Sequence, residues 1–336
     1  MNLIYGIKDK PPIGQTFLFA LQQLLAIMAA TIAVPAVVNS AMGSELPASA
    51  ALFGAGLGTV TYLLFTKSSS PVFIGSSFAF IGSMCSAFGG AASMALGYWG
   101  LIVGAAMAGA VYVVLAIIVK LCGVGWIDKL MPPVIIGPTV AIIGLSLAGN
   151  AVGDLTRSGV EGGSSHVALI CGLITLAVTM LCSTYGKNMG KLIPFIFGVL
   201  AGYAAATVFY FIGTATNNPA FIVIDYSAFR GIGLFELPRF TFLLGGDGLS
   251  QMSGTYLLTL FSAYVPVAFV VFAEHLADHK NLSAIIGTNL LEEPGLPRTL
   301  LGDGVGSMVG ALFGGAANTT YGESIGCVAI TRNAST

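Results

Sequence analysis

Charge is what this sequence has least of. Aspartate, glutamate, lysine and arginine together make up 8% of its 336 residues, against about 25% in soluble globular domains. A chain with so little polar surface to show to water is excluded as a soluble fold. The 13 Lys and Arg nearly balance the 14 Asp and Glu, leave a net charge of −1 and form no cluster, which removes the basic patch that a nucleic-acid surface needs. Cysteine is scarce and odd in number. Cys85, Cys122, Cys171, Cys182 and Cys327 are far apart and mostly inside apolar runs, so they read as small core hydrophobes rather than disulfide partners or metal ligands. What is abundant is apolar surface: hydrophobic residues reach 56%, with a mean hydropathy of +0.91. Forty-five glycines suit helices that must approach closely where lipid supplies no hydrophobic drive toward association. The solvent for this chain is a bilayer, and the expected fold class is an all-α polytopic membrane protein.

Stretches near 20 apolar residues predict spans at about Phe17 to Val38, Leu46 to Thr66, Pro71 to Phe88, Tyr98 to Val119, Pro133 to Gly149, Val167 to Ser183, Leu192 to Gly213, Gly254 to Ala277 and Thr299 to Ala316, with a tenth beginning near Thr320. The first is as long as a full span and no small-residue cleavage site follows a short apolar region, so it is expected to be retained rather than removed as a signal peptide. With the N-terminus in the cytoplasm, Lys8, Lys10, Lys67, Lys120, Lys129, Lys187, Lys191, Lys280, Arg298 and Arg332 fall inside, against Arg157, Arg230 and Arg239 outside. The positive-inside rule therefore predicts that orientation.

Two spans are irregular in a related way. Pro71-Val-Phe-Ile-Gly-Ser-Ser-Phe-Ala-Phe80 opens the third, and Asn318-Thr-Thr-Tyr-Gly-Glu-Ser-Ile-Gly326 opens the tenth. Each begins with β-favouring residues followed by glycine and a capping-type polar residue, the pattern of an extended segment feeding a half-helix. Unpaired backbone at membrane depth is tolerated only inside protein or along a cavity, and paired discontinuous segments point to a transporter binding site near the midplane. Ordinary glycine-kinked helices are the alternative.

Most acids fall in loops, but Glu274 closes a long apolar run and Glu323 lies between Tyr321-Gly322 and an apolar stretch. A charge at bilayer depth costs about 2.5–3.5 kcal/mol on insertion scales, so such residues face a cavity or a partner and commonly serve transport. A carboxyl that gains and loses a proton in that setting is what a proton-coupled carrier needs. Glu274, His275, Asp278 and His279 form one cluster: at helical spacing the two acids share a face and the two histidines share another, roughly 100° away. Histidines four apart are also a metal-ligand spacing, yet Leu276 stands where a zinc hydrolase would carry its base, and the remaining histidine, His166, falls in an outside loop. The expectation is no metal site, with His275 and His279 as cytoplasmic-end polar residues. Asp303, at the start of the ninth span, reads as a helix cap. Gln22 and Gln23, inside the first span, are interhelical glue or part of a site.

Glu323-Ser-Ile-Gly-Cys-Val-Ala-Ile-Thr-Arg332 resembles the signature of the nucleobase/ascorbate transporters (Gln, Glu or Pro, then Asn, any residue, Gly, four residues, Thr, then Arg, Lys or Gly), with nine of the ten positions compatible. Asn318-Thr-Thr-Tyr-Gly322, Gly75-Ser-Ser-Phe-Ala-Phe80 and Ala273-Glu-His-Leu-Ala-Asp-His279 followed by Glu293-Pro-Gly are similar to the uracil permease branch of that family, and the similarity runs from Pro11 to the last residue. The resemblance implies a fold of fourteen spans in two inverted repeats of seven, with the short extended segments in the third and tenth. It divides the chain into a first part of a core domain at 1–122, a first part of a gate domain at 123–213, an extracellular loop at 214–252 and a second part of the core at 253–336. Since the chain ends just after the signature, about four spans are expected to be missing, as in a fragment of a longer permease.

The resemblance also implies residue roles: substrate binding by Phe78, Glu274, Tyr321, Gly322, Glu323 and Ser324, with Phe78 and Gly322 as backbone donors, and proton coupling by Glu274 and Asp278. Three positions depart from the family. Ser324 stands where the signature has Asn, Gln23 where the first span often has His, and Asp278 where some uracil permeases have His. The function implied is proton-coupled symport of uracil into the cytoplasm across the bacterial inner membrane, with no cofactor beyond the coupling proton, lipid as surroundings and a homodimer as the expected assembly. Uracil offers two N–H donors and two carbonyl acceptors, which two carboxylates and two half-helix N-termini complement. A glutamine at 323 would resemble purine-type relatives, so a xanthine or urate permease of the same fold is the nearest alternative. A passive channel or anion exchanger and an intramembrane metallohydrolase built on His275 and His279 are more distant ones.

Overall fold

The computed structural model describes residues 3–126, 148–186, 194–229 and 237–336, with single helical positions at 134, 138, 141, 142 and 145. Most of the span expected from Pro133 to Gly149 lies outside the described residues, as do Lys129, Lys187, Lys191 and Arg230. Among the described residues six helices are long and apolar enough to cross a membrane, and the chain is a multi-pass, mainly helical membrane protein. It divides into two compact units, one formed by Met1–Ile143 with Pro238–Thr336 and the other by Gly144–Leu237.

In the first unit, α1 spans Ile13–Met42, α2 Ala48–Thr66, β1 Ile74–Ser76, α3 Ile81–Gly89 and α4 Met94–Cys122. The second unit carries α5 (Ala148–Leu155), α6 (Ser165–Tyr185) and α7 (Pro194–Thr216); the chain then returns to the first unit for α8 (Gly254–Ile286), α9 (Leu296–Gly314), β2 (Asn318–Thr320) and α10 (Gly322–Thr331). Local chemistry sets several of these limits. The Ser93 and Ser253 side chains accept from Leu96 N and Tyr256 N, both at 3.2 Å, capping α4 and α8. Gly43 closes α1 in the left-handed conformation at φ 65°. The helix α9 begins at Leu296, so Asp303 is in its second turn rather than at its cap, which corrects the sequence reading.

The extended segments foreseen in the third and tenth spans are present and pair with each other. Strands β1 and β2 run antiparallel, Ile74 opposite Thr320, Gly75 opposite Thr319 and Ser76 opposite Asn318. Flanking bonds from Ser77 N to Ala317 O (3.0 Å) and from Tyr321 N to Phe73 O (3.2 Å) extend the ladder. Mutual pairing is how two short non-helical segments satisfy their backbone where no water can.

The helices of this unit approach one another at glycines, around large buried side chains such as Tyr62, Tyr264 and Phe272. A Cβ on Gly58 of α2 would come within 2.8 Å of Gly306 O, and one on Gly306 of α9 within 2.7 Å of Gly58 O, so the two backbones touch because neither residue carries a side chain. α4 meets α9 in the same manner at Gly109 and Gly304, and the Tyr256 hydroxyl of α8 donates to Ala87 O at 2.7 Å. In the second unit α6 and α7 close on one another where Gly198 faces Thr179 and Gly202 faces Thr175, around Val167, Cys171 and Ala206. All five cysteines are free thiols. Cys171 and Cys327 are buried, whereas Cys122, the last residue of α4, is exposed at the helix end and is no core residue.

Candidate functional site

Each strand of the pair leads straight into a helix. β1 passes through the turn Phe78–Phe80 into α3, and β2 passes through Tyr321 into α10. The first N–H groups of a helix have no acceptor inside it and carry the positive end of its dipole, so Phe78 and Gly322 each start a segment suited to hold an oxygen. Both residues line one cavity of about 110 Å³, and Glu274 of α8, Tyr321 and Glu323 line it with them. Five of the six residues assigned to substrate thus meet at one place.

The two carboxylates there come from different elements: Glu274 from the middle of α8, Glu323 from the first turn of α10. Both are half-buried, and neither has a hydrogen-bond or ion-pair partner among the described residues. Tyr321 is fixed instead. Its hydroxyl donates to Ser76 O at 2.7 Å and receives Thr31 Oγ1 at 3.3 Å, and its ring covers Gly75, where a Cβ would lie 2.9 Å from ring carbons.

Ser324 and Asp278 stand behind this wall rather than in it. Ser324 is fully buried. Its hydroxyl bonds the Gln23 side-chain amide and accepts from Phe73 N at 3.2 Å. Ser324, assigned to substrate by the resemblance, is not among the residues that line this cavity: one residue along a helix turns the side chain about 100°, and Ser324 bonds toward α1 and β1. Two of the three positions that depart from the family pattern, Gln23 and Ser324, are bonded to each other. Asp278 accepts from the Thr320 hydroxyl at 2.7 Å, so it ties α8 to β2 one turn beyond Glu274. Spacing in the sequence singles out neither Thr31 nor Thr320, because a threonine within an apolar run carries no signal of its partner.

The other face of α8 is occupied by the histidines, which lie within the helix rather than at its end. His275 and His279 are both fully buried, as is Asp303, with the two rings stacked at a centroid distance of 4.0 Å. His275 Nδ1 lies 2.7 Å from Asp303 Oδ2 and its Nε2 lies 3.1 Å from Thr299 Oγ1. His279 Nδ1 donates to the His275 carbonyl at 2.8 Å, which leaves Nε2 facing the Tyr62 hydroxyl, also at 2.8 Å. Tyr62 continues to Ser70 Oγ at 2.8 Å. Every ring nitrogen is engaged by protein, and no group of three or more metal-type ligands occurs among the described residues. The metallohydrolase alternative loses its ligands.

A permease family matches residues 14–336. The uracil permease of Bacillus caldolyticus is 38% identical over 329 residues, covering 98% of this chain and 69% of that protein. That of Escherichia coli strain K12 is 35% identical over 332 residues, covering 98% and 69%. That of Bacillus subtilis strain 168 is 34% identical over 334 residues, covering 97% and 69%. With a family match over nearly its whole length and relatives above 30% identity, this chain, a transporter and not an enzyme, belongs to the permease family.

Proposed function

We propose that this protein carries uracil into the cytoplasm across the bacterial inner membrane by symport with a proton, its N-terminus on the cytoplasmic side. The observation that carries the reading is the cavity on which two unpartnered carboxylates, Glu274 and Glu323, converge with the first residues of two helical segments, Phe78 and Gly322. Carboxylates accept from the N–H edge of the ring, and helix N-termini donate to its carbonyl oxygens. A volume of about 110 Å³ is well under the roughly 300 Å³ at which drug-sized pockets begin, which suits one small planar base. The relatives named as uracil permeases supply independent support.

Glu274 is the proposed proton carrier, with Asp278 as its neighbour in coupling. One proton moving inward down a potential of 100 mV yields roughly 2.3 kcal/mol, enough for tens-fold accumulation of a neutral base. Protonation acts by changing the relative affinity of outward-facing and inward-facing forms, since a ligand shifts an equilibrium only through differential binding. In this reading the protein alternates access by motion of a gate domain, beginning at 123–213, against a core formed by 1–122 and 253–336. The arrangement is that of a seven-plus-seven inverted repeat working as a homodimer in the lipid bilayer.

The deciding experiment is radiolabelled uracil uptake under imposed pH gradients in cells lacking their own permease, with Glu274→Gln and Glu323→Gln alongside, and with unlabelled xanthine and urate as competitors. Gradient-driven uptake abolished in both variants and insensitive to purines is the expected result. Transport by Glu274→Gln that kept its full dependence on the gradient would remove the coupling role, and displacement by xanthine would move the substrate to the purines.

A further inference from the structure

A second, much smaller cavity lies away from the binding cavity, where α4, α8, α9 and β2 meet. Its volume is about 10 Å³, and Gly109 and Tyr112 of α4, Asp303, Gly304 and Ser307 of α9, and Asn318 of β2 contribute to its wall. It exists because two glycines face each other: a Cβ on Gly304 would fall 2.7 Å from Tyr112 Cβ and 2.9 Å from Gly109 O. Two polar atoms at this wall are buried without a hydrogen-bond partner, Asp303 Oδ1 and Tyr112 Oη. The residues themselves are 1% and 4% exposed. A buried oxygen left unpartnered costs about 1–3 kcal/mol, more when charged, and two of them on one cavity is a combination that native structures seldom keep.

We infer that this cavity binds a single water molecule, donating to Asp303 Oδ1 and accepting from the Tyr112 hydroxyl. The volume sits at the roughly 10–15 Å³ that one water requires, and a bound water needs two to four polar partners, which the carboxylate, the phenol and the neighbouring Ser307 and Asn318 provide. Any organic ligand is too large. Calcium, which takes about six to eight oxygen ligands, finds too few. The water completes the Asp303 carboxylate, whose other oxygen meets His275, and it ties α4 to the helix position immediately following Glu274. The inference is independent of which substrate the permease carries.

The test is a density map of the intact protein at a resolution that reveals ordered water, for the wild type and for Tyr112→Phe, with melting temperatures of both in sodium chloride and in choline chloride. The expected result is one peak about 2.5–3.0 Å from both oxygens in the wild type, displaced or lost in Tyr112→Phe. The variant's melting temperature should fall by about 2–4 °C, and the wild type should melt at the same temperature in either salt. If Tyr112→Phe does not accumulate, the wild-type map decides alone. A continuous contact between Asp303 Oδ1 and a protein donor with no peak overturns the inference, and so does a peak accompanied by a melting temperature that rises specifically with sodium, which would make the occupant a cation.

Discussion

Asp303 and His275 form a buried pair whose worth can be measured by breaking it in two ways. The atoms are 2.7 Å apart and the side chains 1% and 0% exposed, so neither partner can turn to water when the other is removed. Asp303→Leu leaves His275 Nδ1 in an apolar wall, and His275→Leu leaves the carboxylate there. Each should cost about 1–3 kcal/mol, the range for a buried polar group left without its partner. The double variant strands neither, and replacing both partners by apolar groups can be nearly neutral. Summed independently the single losses would reach roughly 2–6 kcal/mol, so the cycle should close with a coupling well outside the ~0.5 kcal/mol expected of independent sites. The assay is thermal unfolding of the purified protein in detergent for wild type, both singles, the double and Asp303→Asn. The last keeps an acceptor for Nδ1–H and should fall between wild type and Asp303→Leu. A double variant as destabilised as the sum of its parts would refute the pair as the reason these residues are buried.

Three further outcomes follow from particular contacts. Thr320→Val removes the donor to Asp278 and should lower stability by about 1.5–3 kcal/mol, the value of a hydrogen bond to a charged group, while Thr320→Ser keeps the hydroxyl; melting temperatures of the two variants should separate accordingly. Tyr321→Phe leaves Ser76 O without its 2.7 Å donor, at a cost of about 1–3 kcal/mol for a buried carbonyl. Equilibrium binding of labelled uracil to that variant should weaken, because the ring that walls the cavity is no longer pinned. Gly306→Val forces a side chain against Gly58 O and Ile74, an overpacking worth about 1–3 kcal/mol. Gly56→Val, on the same helix as Gly58 but with nothing within 4 Å, should melt like the wild type.

Much of this was legible in the sequence because membrane chemistry leaves few options. Long apolar runs are expected to be helices in lipid; α1, α4, α6 and α8 each contain the stretch expected of them, and α2 and α7 each cover all but the first two residues of theirs. The two breaks in that pattern, at Gly75 and Gly322, marked the strand pair and with it the cavity. What spacing could not supply was the direction in which polar side chains at helix interiors look. Asp303 reads as a cap because the apolar run begins beside it, yet α9 starts at Leu296 and carries the aspartate inward to His275. The histidines read as an end cluster because Glu274 closes an apolar run, yet α8 continues to Ile286 and buries them. The resemblance assigns Ser324 to substrate by its place in the signature, whereas a helix sends neighbours to different sides and Ser324 bonds to Gln23 and Phe73.

The same 100° turn explains how α8 can serve two purposes at once. Glu274 faces the cavity and Asp278 the β2 strand that borders it, while His275 and His279 face Tyr62 of α2 and Asp303 and Thr299 of α9. On the second face all four histidine ring nitrogens are hydrogen-bonded, and a buried polar network paired in this way holds the register of the helices it joins. The first face leaves the Glu274 carboxylate without a protein partner. The residue that exchanges partners under the proposed function is thereby carried on a helix that cannot easily rotate or slide. Under the proposed function, a proton or a base arriving at Glu274 therefore meets a carboxylate at a fixed position, and its binding energy is available to shift the balance between transport states rather than being absorbed by local rearrangement of α8.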